Sequence, residues 1–553
     1  MRILLLISLI VAGAQPAFGQ DTPKPPTARI SGRVVAADTG KPIRWATVRL
    51  VSPQGRQLYK GTDVQGRFVF DALAAGSYRL DARADRYVPM DFGGRPYTGL
   101  GAVAQKPITI REGEQFDRAD LKLPKGGAIE GRLLDEFGDP APGLMVQLSQ
   151  VVYAGGRQRL MPTGSRDRSL LSDDRGFFRI HGIVPGTYYL SVLSGVFAEQ
   201  AEAGGFAPTY FPGSTDLSKA QPLTVGAGQE ITNLTFPLTP ARMARISGRA
   251  LDEDGNPIPG ASLMLATTDG RGVSDFFITR VQGNPDGTFV LRNVPPGRFT
   301  LQGFGRPPAG GPMNLGAGPF GSLLLTVTGE DQAGLVLRIT TGPSLIGRIV
   351  SDDPAVPFAN PSEVHVSALP VEFNTAPVAG GPSPYEAKED GTFEVKNLSG
   401  HRLVRVSVRN PRWMLKRVTR GGRDVTDEPI DFTGKDPVGD VEVVLTNRVT
   451  SIEGRVTGDR GEPIPNYSLL VFAVDPSKWT DRSRFVTTAR PSQDGAFIVR
   501  GLPPDDYYVI ALEEALGTEW QDPEFLKPLR ELATSVLLGD GEAETLTLKV
   551  VRR

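Results

Sequence analysis

Ile246-Ser247-Gly248-Arg249-Ala250-Leu251 opens a stretch that turns at Asp254-Gly255-Asn256-Pro257 and runs on through Ala261-Ser262-Leu263-Met264-Leu265. It resumes at Asp286-Gly287-Thr288-Phe289-Val290-Leu291 and passes Val294-Pro295-Pro296-Gly297 into Arg298-Phe299-Thr300-Leu301. Phe289-Val290-Leu291 and Phe299-Thr300-Leu301 are the short apolar or alternating runs of half-buried strands. Asp-Gly before the Phe tolerates the positive φ of a tight turn. Pro-Pro-Gly presets one turn residue and lets the next reverse the chain. The reading is a β-unit of short strands.

Four more copies follow the same order. They open at Ile30-Ser31-Gly32-Arg33-Val34, Ile129-Glu130-Gly131-Arg132-Leu133, Leu345-Ile346-Gly347-Arg348-Ile349 and Ile452-Glu453-Gly454-Arg455-Val456. They return at Asp63-Val64-Gln65-Gly66-Arg67-Phe68, Asp174-Arg175-Gly176-Phe177-Phe178, Asp390-Gly391-Thr392-Phe393 and Asp494-Gly495-Ala496-Phe497. Successive opening glycines are 99, 117, 99 and 107 residues apart. Solenoid repeats of about 20–50 residues share one core, whereas this spacing is the size of a domain with its own. The expectation is therefore of separate folds, like beads on a string, with short links at 124–127 and 239–242 that limit hinge freedom. Each copy ends with one further pair of runs, such as 322–327 and 335–339. About seven short strands in ~100 residues is the pattern of a two-sheet sandwich.

I-x-G-R-V, D-x-G-x-P, D-x-x-G-x-F and L-P-P-G-x-Y-x-L together resemble the carboxypeptidase regulatory-like domain. This is a transthyretin-like sandwich, also grouped with carbohydrate-binding-like and Cna-B-like folds. The resemblance implies an all-β chain of five tandem seven-stranded Ig-like or transthyretin-like β-sandwiches, at 28–124, 127–239, 243–341, 343–447 and 449–553. The fourth copy departs most, with Leu398-Ser399-Gly400-His401 in place of Leu-Pro-Pro-Gly. The last copy inserts 474–484 and 513–532; in the latter, Asp522 before Pro523 reads as the N-cap of a short helix, with Phe525, Leu526 and Leu529 at helical spacing.

The first residues read as a secretory leader, 1–19, with Arg2 before an apolar run of 12 residues and small residues at Ala17 and Gly19. No other segment is long and apolar enough to span a bilayer. The expectation is a protein that is secreted, periplasmic or on the outer cell surface. The chain has no cysteine, which excludes disulfides and a thiol nucleophile and fits a bacterial cell-envelope protein. Its 61 basic and 62 acidic residues nearly cancel, against the basic excess that nucleic-acid binding needs.

Catalytic chemistry finds no support. His181 follows a strand, His365 lies in one, and His401 stands alone, so no zinc ligand set forms. Nucleophile elbows, P-loops and dinucleotide fingerprints are absent, and no cofactor is expected. Asp252 and Asp254 beside Gly255 are read as turn residues, not a calcium loop. The arginines after the opening glycines are read as solvent-facing. Exposed rings flanked by polar groups would suit a sugar. Trp479 with Arg482, and Trp520 with Asp522, are the candidate ligand-binding residues, and Tyr210-Phe211-Pro212-Gly213 is a weaker one. Packing of these rings on their own core is the reading favoured over ligand binding, because large aromatics mostly serve packing. The expected role is a non-enzymatic scaffold or interaction protein with protein or polysaccharide partners at the cell envelope. The alternative is a carbohydrate-binding protein acting through its last copy.

Overall fold

The computed structural model describes residues 27–96, 106–154, 156–163, 171–193, 204–267, 279–305, 318–358, 360–372, 385–458, 460–492, 494–513 and 516–552. The leader expected over 1–19 lies outside them. The chain is a sandwich-like, multi-domain, all-β protein, with a short helix in the last copy as expected. Among the described residues, the third copy has seven strands.

One arrangement recurs. The opening strand of the third copy, Ala244–Leu251, is the middle of three: Thr288–Val294 pairs with it antiparallel and the final strand, Gln332–Arg338, parallel. Ala28–Ala36, Gly127–Leu134, Leu345–Ser351 and Ser451–Thr457 are flanked in the same way in the other copies. The second layer of the third copy places Ser262–Thr267 between Thr279–Gln282 and Gly297–Phe304, with Phe320–Val327 beyond. Alternation on the opening strands buries Ile246 and Ala250 between the layers. It leaves Arg249, like Arg33, Arg132, Arg348 and Arg455, exposed to solvent, as expected.

The opening glycine is required by close approach. A Cβ on Gly248 would fall well inside van der Waals contact of the Leu335 carbonyl oxygen on the parallel final strand. Gly32, Gly131, Gly347 and Gly454 meet Ala119, Leu234, Val441 and Leu546 in the same way. The motif phenylalanine stands directly opposite each of these glycines, as in Gly248↔Phe289 and Gly454↔Phe497. Its ring, buried in every copy, covers the face where glycine has no side chain. The turn glycine plays a different part: Gly287 has φ +76°, and its carbonyl accepts from the Ala250 N–H at 2.8 Å, tying the turn to the opening strand.

The closing run of each copy is not a hairpin. Phe320–Val327 pairs with Gly297–Phe304 in one layer, while Gln332–Arg338 pairs with the opening strand in the other. The polar turn between them carries the chain from layer to layer. In three copies a tyrosine early in the strand after the turn at the Leu-Pro-Pro-Gly position locks that turn. Tyr78, Tyr188 and Tyr507 donate their hydroxyls to the carbonyls of Ala74, Val184 and Pro503, each four residues back. In the fourth copy Arg402 takes this position, and its Nε donates to the Ser399 carbonyl at 2.9 Å.

The cores are separate, one enclosed by each copy. The fifth copy also forms hydrogen bonds with the first, second and fourth.

Gly248→Ala is expected to destabilise the third copy by ~3 kcal/mol through overpacking against the final strand. Gly255→Ala has φ +87° to overcome but open space around it, and is expected to cost only ~1 kcal/mol. Calorimetry of the full chain checks this; equal shifts would mean that the close approach does not control stability.

Candidate functional site

The insertions of the last copy build the contact region. At 474–484, Asp475 accepts the Ser477 N–H at 2.9 Å and caps the 3-10 turn Pro476–Lys478. The turn swings Trp479 back under the sheet. Its ring is 4% exposed and T-shaped against Phe472 at 5.6 Å, and its indole N–H donates to the Ala473 carbonyl at 2.7 Å. At 519–531, Asp522 caps the helix Pro523–Leu526 by accepting the Glu524 N–H at 2.9 Å, the N-cap role predicted for it. Leu526 and Leu529 are buried and form, with Trp479, Leu470 and Ile510, a small second core on the outer face of the sheet. Trp520, half-buried, packs against it. Tyr210 is likewise buried, and Phe211 is T-shaped on the core residue Phe236 at 6.0 Å.

Trp479 thus presents no open face for a sugar, and its partners in the sequence proposal point elsewhere. Arg482, at φ +56°, donates to the Pro370 carbonyl of the fourth copy at 3.0 Å. Its own carbonyl accepts from Arg405 Nε at 3.3 Å and Nη2 at 3.2 Å. Arg484 grips Asp427 with both Nε and Nη2, at 3.2 and 2.8 Å. Asp522 accepts from Gln158 of the second copy at 3.1 Å. Burial first, then the Asp522 and Asp481 carboxylates, raises the Tyr153 hydroxyl pKa at this joint. Two of the four candidate side chains therefore seal the copy's own sheet, and two reach its neighbours.

A third joint was not legible in the sequence. Lys106 of the first copy donates to the Pro465 carbonyl at 2.8 Å and to Asn466 Oδ1 at 3.1 Å. Arg490 of the fifth returns a bond from Nη2 to the Gly93 carbonyl at 2.9 Å and one from Nη1 to Ser468 Oγ at 3.2 Å. Asp91 and Arg95 are buried beside them. Burial raises the Asp91 pKa despite the neighbouring arginines. Burial, then the Arg490 charge, lowers the Arg95 pKa to about 10.

Among the described residues, no group of three or more His, Asp or Glu could hold a metal ion. His181 lies inside the strand Phe177–Ile183, not after it, and is 3.5 Å from Asp85. Asp252 accepts the N–H groups of Asp254 and Asn256, as a turn residue does; these bonds, that to Asn256 first, lower its pKa. No helix among the described residues is long and apolar enough to cross a membrane.

The fold and contacts define a class: two-layer β-sandwiches in series, with a parallel final strand seated on a glycine. Residues 29–124 and 245–303 match the carboxypeptidase regulatory-like domain, and the chain carries that domain. No curated protein matches the chain. Among solved structures, it is similar to a Streptococcal ancillary pilin, at 11% identity and TM-score 0.18, over 57% of this chain and 98% of that one. It is also similar to the Bacillus anthracis TIE protein, at 12% identity and TM-score 0.15, over 74% and 68% of the two chains. The minor pilin GBS52 of Streptococcus agalactiae gives 13% identity and TM-score 0.22, over 38% and 96%.

Trp479→Ala is expected to cost ~3–5 kcal/mol in the fifth copy, as deletion of a buried ring does. Differential scanning calorimetry measures it. A loss below ~1 kcal/mol would show that the ring is not part of that core.

Proposed function

We propose that this is a non-catalytic, secreted or cell-envelope protein that acts as a scaffold. In this reading the leader 1–19 is removed. The segments 28–124, 127–239, 243–341, 343–447 and 449–553 fold as separate sandwiches, and the fifth holds others in one fixed arrangement for protein partners. The observation that carries the proposal is the reciprocal bonding of the first and fifth copies, Lys106 to Pro465 and Asn466 and Arg490 to Gly93, across more than 350 residues of chain. An array meant only to reach outward has no use for such a closure. Interfaces between domains of one chain are commonly small and polar, and one such interface by itself leaves the domains free to move. Here the fifth copy has three.

The absence of cysteine makes a direct test simple. Spin labels on Lys41→Cys and Lys549→Cys, both exposed positions, report the separation of the first and fifth copies. A single narrow distance distribution is expected, broadened by Arg490→Glu with the circular dichroism of the sandwiches unchanged. A broad distribution in the unaltered chain would dismiss the fixed scaffold.

A further inference from the structure

We infer that the joint between the fourth and fifth copies is a docking groove for an acidic segment of a partner protein, one that carries carboxylates around an apolar side chain. Two open grooves meet at Trp413. One, of about 610 Å³, is bordered by Arg412, Asn447, Arg448 and Asp540. The other, of about 420 Å³, combines the apolar residues Val406, Met414, Leu415, Val486 and Leu502 with a polar rim of Ser483, Arg484, Thr487 and Arg500. Trp413 stands between them, half-buried, with its ring T-shaped against Phe358 at 5.1 Å. Among the described residues, its indole N–H has no partner, unlike that of Trp479.

Charge selects the occupant. Of the arginines along the two grooves, Arg448 is paired with Asp540 at 2.7 Å and Arg484 with Asp427. Arg412 and Arg500 are exposed, and the guanidinium of neither has an ion-pair or hydrogen-bond partner among the described residues. The unneutralised charge is local, because the whole chain is close to neutral at −1. Trp, Met and Arg around a desolvated centre are the residues in which protein-binding surfaces are enriched. Apolar residues beside unpaired guanidinium groups fit an apolar side chain flanked by acids. The inference goes beyond the scaffold reading and does not need the first-to-fifth closure, since Arg405, Arg482 and Arg484 hold this joint by themselves.

The test titrates the full chain with a fluorescein-labelled peptide of alternating Glu and Leu, its Lys–Leu counterpart, and polygalacturonate. Saturable binding of the Glu–Leu peptide, a change in tryptophan emission, and weakening with added salt are expected. Arg412→Glu and Arg500→Glu, both at exposed positions, should each weaken binding at least ~3-fold. Arg490→Glu, which opens the distant closure, should leave binding intact, so failure of the scaffold and failure of the groove are told apart. The inference is overturned if the Glu–Leu peptide does not bind or the Lys–Leu peptide binds as well. It is equally overturned if polygalacturonate binds more tightly at the same site, or if both charge reversals leave affinity unchanged.

Discussion

The final strand of each copy can lie parallel to the opening strand only because that strand carries a glycine where the two backbones meet. Any Cβ there would strike a carbonyl oxygen of the final strand, at Leu335 in the third copy and Leu546 in the fifth. Pushing that strand away would unzip the ladder that closes the layer, Arg249↔Val336 and Ala250↔Leu337 among its pairs. The glycine leaves a gap on the sheet face, and the phenylalanine directly opposite fills it. The two motif residues are therefore one device, which explains why I-x-G-R and G-x-F travel together. The crossing of the closing run from layer to layer follows from it, since the final strand is taken up by the opening strand and not by its neighbour in sequence.

The joints obey a different rule. Arg402 is buried, and its pKa is lowered to about 10 by that burial and then by the Arg482 charge. A guanidinium with such a pKa is still charged at neutral pH, so its desolvation must be offset by bonds. Carbonyl oxygens supply most of them: Ser399 and Ala368 for Arg402, Thr426 and Arg482 for Arg405, Pro370 for Arg482. Asp427 is the carboxylate that Arg405 and Arg484 share. A contact made of forked donors on fixed carbonyls adds little adhesion but admits few orientations. A single polar joint of this kind still allows relative motion, so the proposed scaffold depends on the fifth copy making more than one of them.

What was legible in the sequence was local. The repeat glycines, Asp-Gly turns and alternating runs report forces within a few residues or across one hairpin, and they led correctly to sandwiches. Asp522 as helix cap was legible for the same reason, because capping needs only its own next two residues. Trp479 was harder: an aromatic ring among Asp, Arg and Ser has the composition of an exposed loop, and nothing local reveals that the turn at Pro476–Lys478 folds it under its own sheet. Lys106 and Arg490 carried no signal at all. Two of their four bonds go to the backbone carbonyls of Gly93 and Pro465 far along the chain, and a carbonyl has no residue type to read.

A usable signal lay nonetheless in where the copies break their own pattern. The fourth copy gives up the turn tyrosine for Arg402 and Leu-Pro-Pro-Gly for Leu398-Ser399-Gly400-His401, next to the face that meets the fifth. The fifth copy alone inserts 474–484 and 513–532, and Arg482 and Arg484 from the first meet the fourth copy while Asp522 from the second meets the second copy. A residue kept in every copy answers to the fold of a single sandwich, since that is the only environment all copies share. A residue peculiar to one copy is under no such demand, so it is free to serve what that copy alone touches. In a tandem chain of this kind the departures, not the repeats, therefore mark the contacts. Here the fourth copy's departures and the first insertion of the fifth meet at the joint that also frames the Trp413 grooves, while the second insertion marks the contact with the second copy.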